Sequence, residues 1–161
     1  MGPVEYVSPF FERYVRLGYE PYRYYAPDEA PPWAPLKKPL AECRLGVVCT
    51  AGTYVKGQVA FHSKDDYSFR VIPKTTPVDE LRFSHVSEHY LGNARQDVNN
   101  TFPIESLRRL EADGVVGEIA DDLFSCMGGI YSQRKVRQRL APAVAEEFQR
   151  LKIDVALLVP L

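Results

Sequence analysis

Ser84-His85 opens a stretch that runs past His89 and through Gln96-Asp97-Val98-Asn99-Asn100 to Phe102-Pro103. Imidazoles, hydroxyls, carboxylates and amides are denser there than elsewhere in the chain. Side chains of these types either line a pocket for a polar ligand or serve the backbone of a solvated crossover loop, since Asn, Asp and Ser readily bond nearby main-chain groups. Asp97 and Asn99 suit both roles. Position favours the ligand role: the segment begins where the strand-like Leu81-Arg82-Phe83 ends, and open α/β sheets bind ligands beyond the carboxyl ends of their strands. Zinc is a weak alternative. His62, His85 and His89 show no established ligand spacing with Cys126, and a His85/His89 pair needs a helix that Gly92 opposes, so no metal is expected. Cys43, Cys49 and Cys126 are odd in number and lack C-x-x-C spacing, which indicates reduced thiols. Cys49 reads as core. Cys126, beside Gly128-Gly129, reads first as a small buried residue and second as a weak candidate thiol.

The elements that must position these groups follow from periodicity. An apolar run over 43–49 stops at Thr50-Ala51-Gly52-Thr53, a strand ending in a small-residue loop. Residues 67–72 alternate apolar and polar side chains, as a half-buried strand does. Residues 81–84 and 115–120 read as short strands, and 153–159 as a continuous apolar strand, central and buried on both faces. Between them, Ile104, Leu107 and Leu110 mark one buried face of a helix that Pro103 opens and Gly114 closes. Arg134, Lys135, Arg137 and Arg139 give a further helix a solvated basic face, and Pro142 kinks it or begins another. Strands alternating with helices predict a three-layer α/β sandwich with a mostly parallel central sheet. On a parallel sheet, Thr50 to Thr53, His85 to His89 and Ser125 to Gly129 fall on one rim.

A Tyr/Pro-rich N-terminal arm precedes this body. Residues 1–25 carry Tyr6, Phe10, Phe11, Tyr14, Tyr19, Tyr22, Tyr24 and Tyr25, with a short helix expected over 9–17. Pro27, Pro31, Pro32, Pro35 and Pro39 around Trp33 make an extended strap. The division is therefore 1–40, arm and strap, and 41–161, one α/β domain. With 161 residues and a formal charge of −1, the chain has room for a core but no basic footprint for nucleic acid. Its apolar runs are shorter than the roughly 18–20 residues that span a bilayer, and its start has no signal-peptide pattern. No membrane or nucleic-acid partner is expected, and a cytoplasmic location is.

Several motifs carry a resemblance: Pro32-Trp33-Ala34-Pro35, Thr50-Ala51-Gly52, Asp66-Tyr67-Ser68-Phe69-Arg70-Val71-Ile72, Ser84-His85, Asp97-Val98-Asn99, Phe102-Pro103 and Cys126-Met127-Gly128-Gly129. In order and spacing, the chain from residue 31 onward resembles the selenoprotein B family of glycine, sarcosine, betaine and D-proline reductases, the D-proline branch most of all. The resemblance implies a subunit of an oxidoreductase that cleaves the C–N bond of an amino acid or amine. It implies a partner subunit bearing a pyruvoyl group, a dithiol electron donor, and an oligomer. In that family the strand matching 153–159 is followed at once by selenocysteine or cysteine, so the resemblance implies that the α/β domain is incomplete at its C-terminus. The nucleophile would come immediately after Leu161, as an undecoded selenocysteine codon would leave it, and this chain alone would be inactive. Thr50, Gly52, Arg70, Ser84, His85, Asp97, Asn99 and Gly128 are the expected substrate-binding or site-shaping residues. The rival expectation is a non-catalytic ligand-binding or assembly module on the same fold.

Overall fold

The structure, a computed structural model, describes residues 5, 7–20, 28–30, 32–86 and 91–161. Ser87, Glu88 and His89 of the polar segment lie outside the described residues, as do Tyr6, Tyr22, Tyr24, Tyr25, Pro27 and Pro31. The chain forms two compact units, Met1–Pro35 and Leu36–Leu161. In the first, helix α1 (Val7–Arg16) begins at Val7 rather than residue 9, because the Glu5 carboxylate accepts the Ser8 amide at 3.0 Å. Phe10, Tyr14 and Tyr19 pack ring on ring, with centroids 4.7 and 5.9 Å apart. Residues 32–35 take neither helix nor strand, as their prolines require.

The second unit is an α/β sandwich. Strand β1 (Arg44–Cys49) is its spine, and every residue from Leu45 to Cys49 is buried. Along one side it pairs in parallel with β7 (Val155–Val159). It also pairs in parallel with β5 (Glu118–Ile119) near its start and with β6 (Asp122–Cys126) near its end. Strand β3 (Phe69–Pro73) adds antiparallel to β6, so the sheet is mixed but mostly parallel. On one face, helix α3 (Ile104–Ala112), which follows the short helix α2 (Gly92–Gln96) in the chain, presents Ile104 and Leu107 to Leu45, Val47, Ile72 and Ile119. On the other, a helical stretch of α4 (Gln133–Lys135), a π-helical segment Val136–Leu140 and α5 (Ala141–Arg150) sets Leu140, Val144 and Phe148 against Val48 and Phe124. Each such side chain contributes on the order of 1.5–3 kcal/mol by leaving water.

Three expectations need correction. The stretch 81–84 does form a strand, β4 (Leu81–Phe83), but it lies in a separate two-stranded ribbon, antiparallel to β2 (Thr53–Val55). All three of its residues pair with Thr53, Tyr54 and Val55 instead, and the Arg82 guanidinium folds back onto the carbonyls of Asp79 and Leu81. The strand expected at 115–120 is β5 alone, and the pairing resumes in β6, so Ser125 and Cys126 are strand residues and the rim starts at Met127. Gly117 bends this path by lying against the backbone of Ala41, Glu42 and Cys43, where a Cβ would stand 2.8 Å from the Ala41 oxygen. Strand β7 is not central: among the described residues it pairs with β1 alone, and Leu158 is 68% exposed. Nor is it buried on both faces, since Ala156 and Leu158 are exposed: a continuous apolar run specifies neither the neighbours at a strand's sides nor the cover on its two faces. No helix among the described residues is long and apolar enough to cross a membrane.

Candidate functional site

The carboxyl ends of β1, β6 and β7 converge, and short polar contacts tie their extensions together. Thr50 donates its amide to Val159 O at 3.0 Å, and its Oγ1 accepts the amide of Leu161 at 2.9 Å. Ala51 bridges Met127 antiparallel, and the Gly52 amide reaches Cys126 O at 3.0 Å. Gly52 then turns the chain at φ +65°, and its carbonyl accepts the Ser84 amide at 3.0 Å. A Cβ on Gly52 would overlap the Ser84 oxygen, so this position needs glycine both for its dihedral angle and for the close approach. Below, the buried Ser125 hydroxyl takes the amide of Thr53 at 2.8 Å.

This construction delivers Ser84 and His85 to the rim. A Cβ added to Gly128 would stand 2.9 Å from Thr50 O, 3.0 Å from Leu161 O and 3.1 Å from His85 Nε2. Thr50, His85, Gly128 and the end of the β7 extension therefore share one small volume. Thr50, Gly52, Ser84, His85 and Gly128, all singled out from the sequence, are gathered here.

Arg70 stands one step away. Opposite Ser125 in the β3–β6 register, it lays its guanidinium 4.2 Å over the Phe61 ring. Its nitrogens donate to Val59 O at 2.7 Å, Ala60 O at 3.3 Å and Ser68 Oγ at 2.8 Å. The Ser84 hydroxyl donates to Phe61 O at 2.9 Å, so Arg70 bears on the rim through the loop it clamps. Asp66 completes that clamp. Burial pushes its carboxyl up, but bonds from the Ser68 hydroxyl and from the His62 and Ser68 amides, with Arg70 beside it, hold it below the usual carboxylate range.

Asp97 and Asn99 go elsewhere. Asp97 Oδ1 accepts Asn99 N and Nδ2 at 2.9 and 3.0 Å, Asn99 Nδ2 also donates to Glu105 Oε2 at 2.7 Å, and Asn99 Oδ1 takes the Glu105 amide at 3.0 Å. That last amide is one of the free N–H groups at the start of α3, so the pair fixes its own loop and caps the helix. With Arg82, Phe83 and Ala94, Asp97 and Glu105 border a cleft of about 430 Å³ along β4.

The thiols are buried. Desolvation raises Cys49 to about 12, with Cys126 adding to the shift, and raises Cys126 to about 11. Cys43 donates to Pro39 O at 3.3 Å. A thiol so held carries almost no thiolate at neutral pH, which leaves Cys126 unsuited to nucleophilic work. Among the described residues no group of three His, Cys, Asp or Glu is placed to hold a metal. Sequence reasoning passed over Phe61 and took Asp66 only as part of a motif, not as a site residue. Asp66-Tyr67-Ser68 carries a readable signal for the latter, since an Asp commonly accepts the amide two residues on.

No family model matches this chain, and no solved structure matches it. Among curated proteins it is similar to D-proline reductase subunit gamma of Acetoanaerobium sticklandii, with 32% identity over 135 residues. The match covers 83% of this chain and 55% of the relative, so the chain spans about half of that protein's length. The relative's name marks it as one subunit of a multi-subunit enzyme, and the similarity supports a reductase-related role.

Proposed function

We propose that this chain is a reductase subunit of the selenoprotein B type, working on the C–N bond of D-proline or of a related amino acid or amine. The observation that carries the reading is the similarity to D-proline reductase subunit gamma over most of the chain. The rim supports it: at Gly128, His85 and Thr50 the main chain is drawn in tightly around the end of β7, where a reacting group would be held by the sheet rather than by a mobile loop.

In this reading a pyruvoyl group on a partner subunit supplies electrophilic activation of the substrate amine, and a dithiol returns the enzyme to its reduced state. This chain contributes position. Thr50 anchors the end of β7, Gly52 and Phe61 fix Ser84, and His85 faces the space at Gly128. In this reading the attacking selenolate or thiolate is none of the three thiols present, a choice supported by the burial of all three. The site residues we assign to substrate binding or site shaping are Thr50, Gly52, Ser84, His85 and Gly128, with Arg70 acting through the 59–61 loop. The reduced cysteines fit a cytoplasmic enzyme.

A second reading, a ligand-binding or assembly module without chemistry, draws on the same buried thiols. The nucleotide triplet after the Leu161 codon separates the two. A UGA or a cysteine codon followed by an open frame is the result expected for the reductase; a frame with neither selenocysteine nor cysteine beside the rim contradicts it.

A further inference from the structure

Both walls of the rim are tied to one loop. The first wall is Ser84-His85-Val86 and the second is Gly128-Gly129, and they lie against each other: a Cβ on Gly128 would stand 3.1 Å from His85 Nε2, and one on Gly129 would overlap Val86 Cγ1. Residues 59–68 reach the first wall through Phe61, whose carbonyl accepts the Ser84 hydroxyl at 2.9 Å. They reach the second through Asp65. Its Oδ1 accepts the amides of Tyr131 and Ser132 at 2.9 and 3.1 Å, just beyond Gly129 in the chain. Between these two contacts the loop is braced from within. Arg70 donates to the carbonyls of Val59 and Ala60, Asp66 accepts the amides of His62 and Ser68, and Phe61 is buried beneath the Arg70 guanidinium. Asp65 itself stands at φ +50°, in the left-handed region that Asp and Asn tolerate better than other side chains do. Glycine would meet that dihedral angle with less strain, so what an aspartate adds here is the pair of bonds to the second wall.

We propose that Asp65 is a positioning residue of the candidate site: through the 59–68 loop, its carboxylate fixes the spacing between His85 and Gly128, and with it the width of the space that holds the substrate's reacting carbon. This rests on the reductase reading above. A carboxylate accepting two consecutive amides makes charge-assisted bonds, roughly twice as strong as those of a neutral acceptor. Their loss loosens the segment after Gly129 from the loop that carries Phe61, so the two walls no longer share one support. Rate is what this should change, since a displacement of about 1 Å in a positioned reaction can cost on the order of a hundredfold.

Three substitutions separate the carboxylate from the dihedral angle. Asp65→Gly keeps the left-handed turn and removes the acceptor, Asp65→Asn tolerates the turn and keeps an acceptor oxygen, and Asp65→Ala loses both. In the 161-residue chain, NMR should show the His85 ring and the Gly128 and Gly129 amide resonances displaced in Asp65→Gly and Asp65→Ala, and near their parent positions in Asp65→Asn. The same substitutions are then placed in a form continued along its own reading frame with cysteine directly after Leu161, combined with the other subunits of the Acetoanaerobium sticklandii D-proline reductase and dithiothreitol. There Asp65→Gly and Asp65→Ala should lower kcat for D-proline about tenfold or more, and Asp65→Asn should stay within about twofold of the parent. An Asp65→Gly variant that matches the parent in both readouts shows that only the turn matters, which overturns the proposal. Displaced resonances with an unchanged kcat overturn the positioning role. No turnover by the continued parent form overturns the reductase reading, and the resonances of Asp65→Gly and Asp65→Asn still decide whether Asp65 sets the spacing.

Discussion

His85 Nε2 faces Gly128 so closely that one added carbon would sit 3.1 Å from it and 2.9 Å from the Thr50 carbonyl. Gly128→Ala should therefore fold but push the imidazole or the Thr50 backbone aside, at about 1–3 kcal/mol, the usual toll of overpacking. Denaturant unfolding measures the loss, and a shift of the His85 ring resonances by NMR locates it. Unchanged resonances would show that the ring is not held against this glycine.

Gly52→Ala should be worse. Its φ of +65° disfavours any side chain, and its Cβ would enter the backbone of Ser84 rather than a movable side chain. The two effects together should cost about 2–5 kcal/mol, with loss of the Ser84 to Phe61 bond. A urea titration of the variant against the parent reads this directly, and a difference below about 1 kcal/mol would contradict it.

Asp66 should make the fold acid-sensitive. Its folded pKa lies below its unfolded value of about 3.9, so its contribution is fully present above that value and is lost as pH falls through the folded pKa. Stability measured from pH 6 down to pH 2 should fall less steeply in Asp66→Asn than in the parent, the parent's advantage being present above about pH 4 and closing on the acid limb. Arg70→Ala should loosen the same loop at any pH, since the guanidinium holds Val59 and Ala60 as well.

Cys49 and Cys126 should resist alkylation. With pKa values raised to about 12 and 11, both stay protonated near pH 8, and neither is exposed. Their stabilising contribution is complete below the unfolded thiol value of about 8.5 and is lost as pH rises toward the folded values. Iodoacetamide at pH 8 should label them in denaturant but not in the native protein, as mass spectrometry would show. Rapid native labelling of Cys126 would restore it as a candidate nucleophile.

The body of the fold was legible where pattern alone decides. The apolar run before Thr50 is β1, the Ile104–Leu107 face is the buried face of α3, and Gly114, at φ +70°, ends that helix as its type predicts. What depends on lateral pairing was not legible. Nothing in Val155 to Val159 says which neighbours the strand has, and nothing in Leu81-Arg82-Phe83 separates a sheet strand from a ribbon. The polar segment was ambiguous for a related reason. Asn and Asp serve a ligand and a backbone with the same atoms, and here Asp97 and Asn99 serve the backbone of α3. Ser84 and His85 reach the rim through a contact no pattern carries, the bond from the Ser84 amide to Gly52.

D-proline consumption tests the central claim most directly. The 161-residue chain, and a form continued along its own reading frame with cysteine directly after Leu161, are each combined with the other reductase subunits of Acetoanaerobium sticklandii and dithiothreitol. No turnover is expected from the first, and slow, dithiol-dependent turnover from the second, limited by the small thiolate fraction of cysteine near neutral pH. Turnover by the 161-residue chain, or none by the continued form with D-proline, glycine, sarcosine or betaine, would contradict the account.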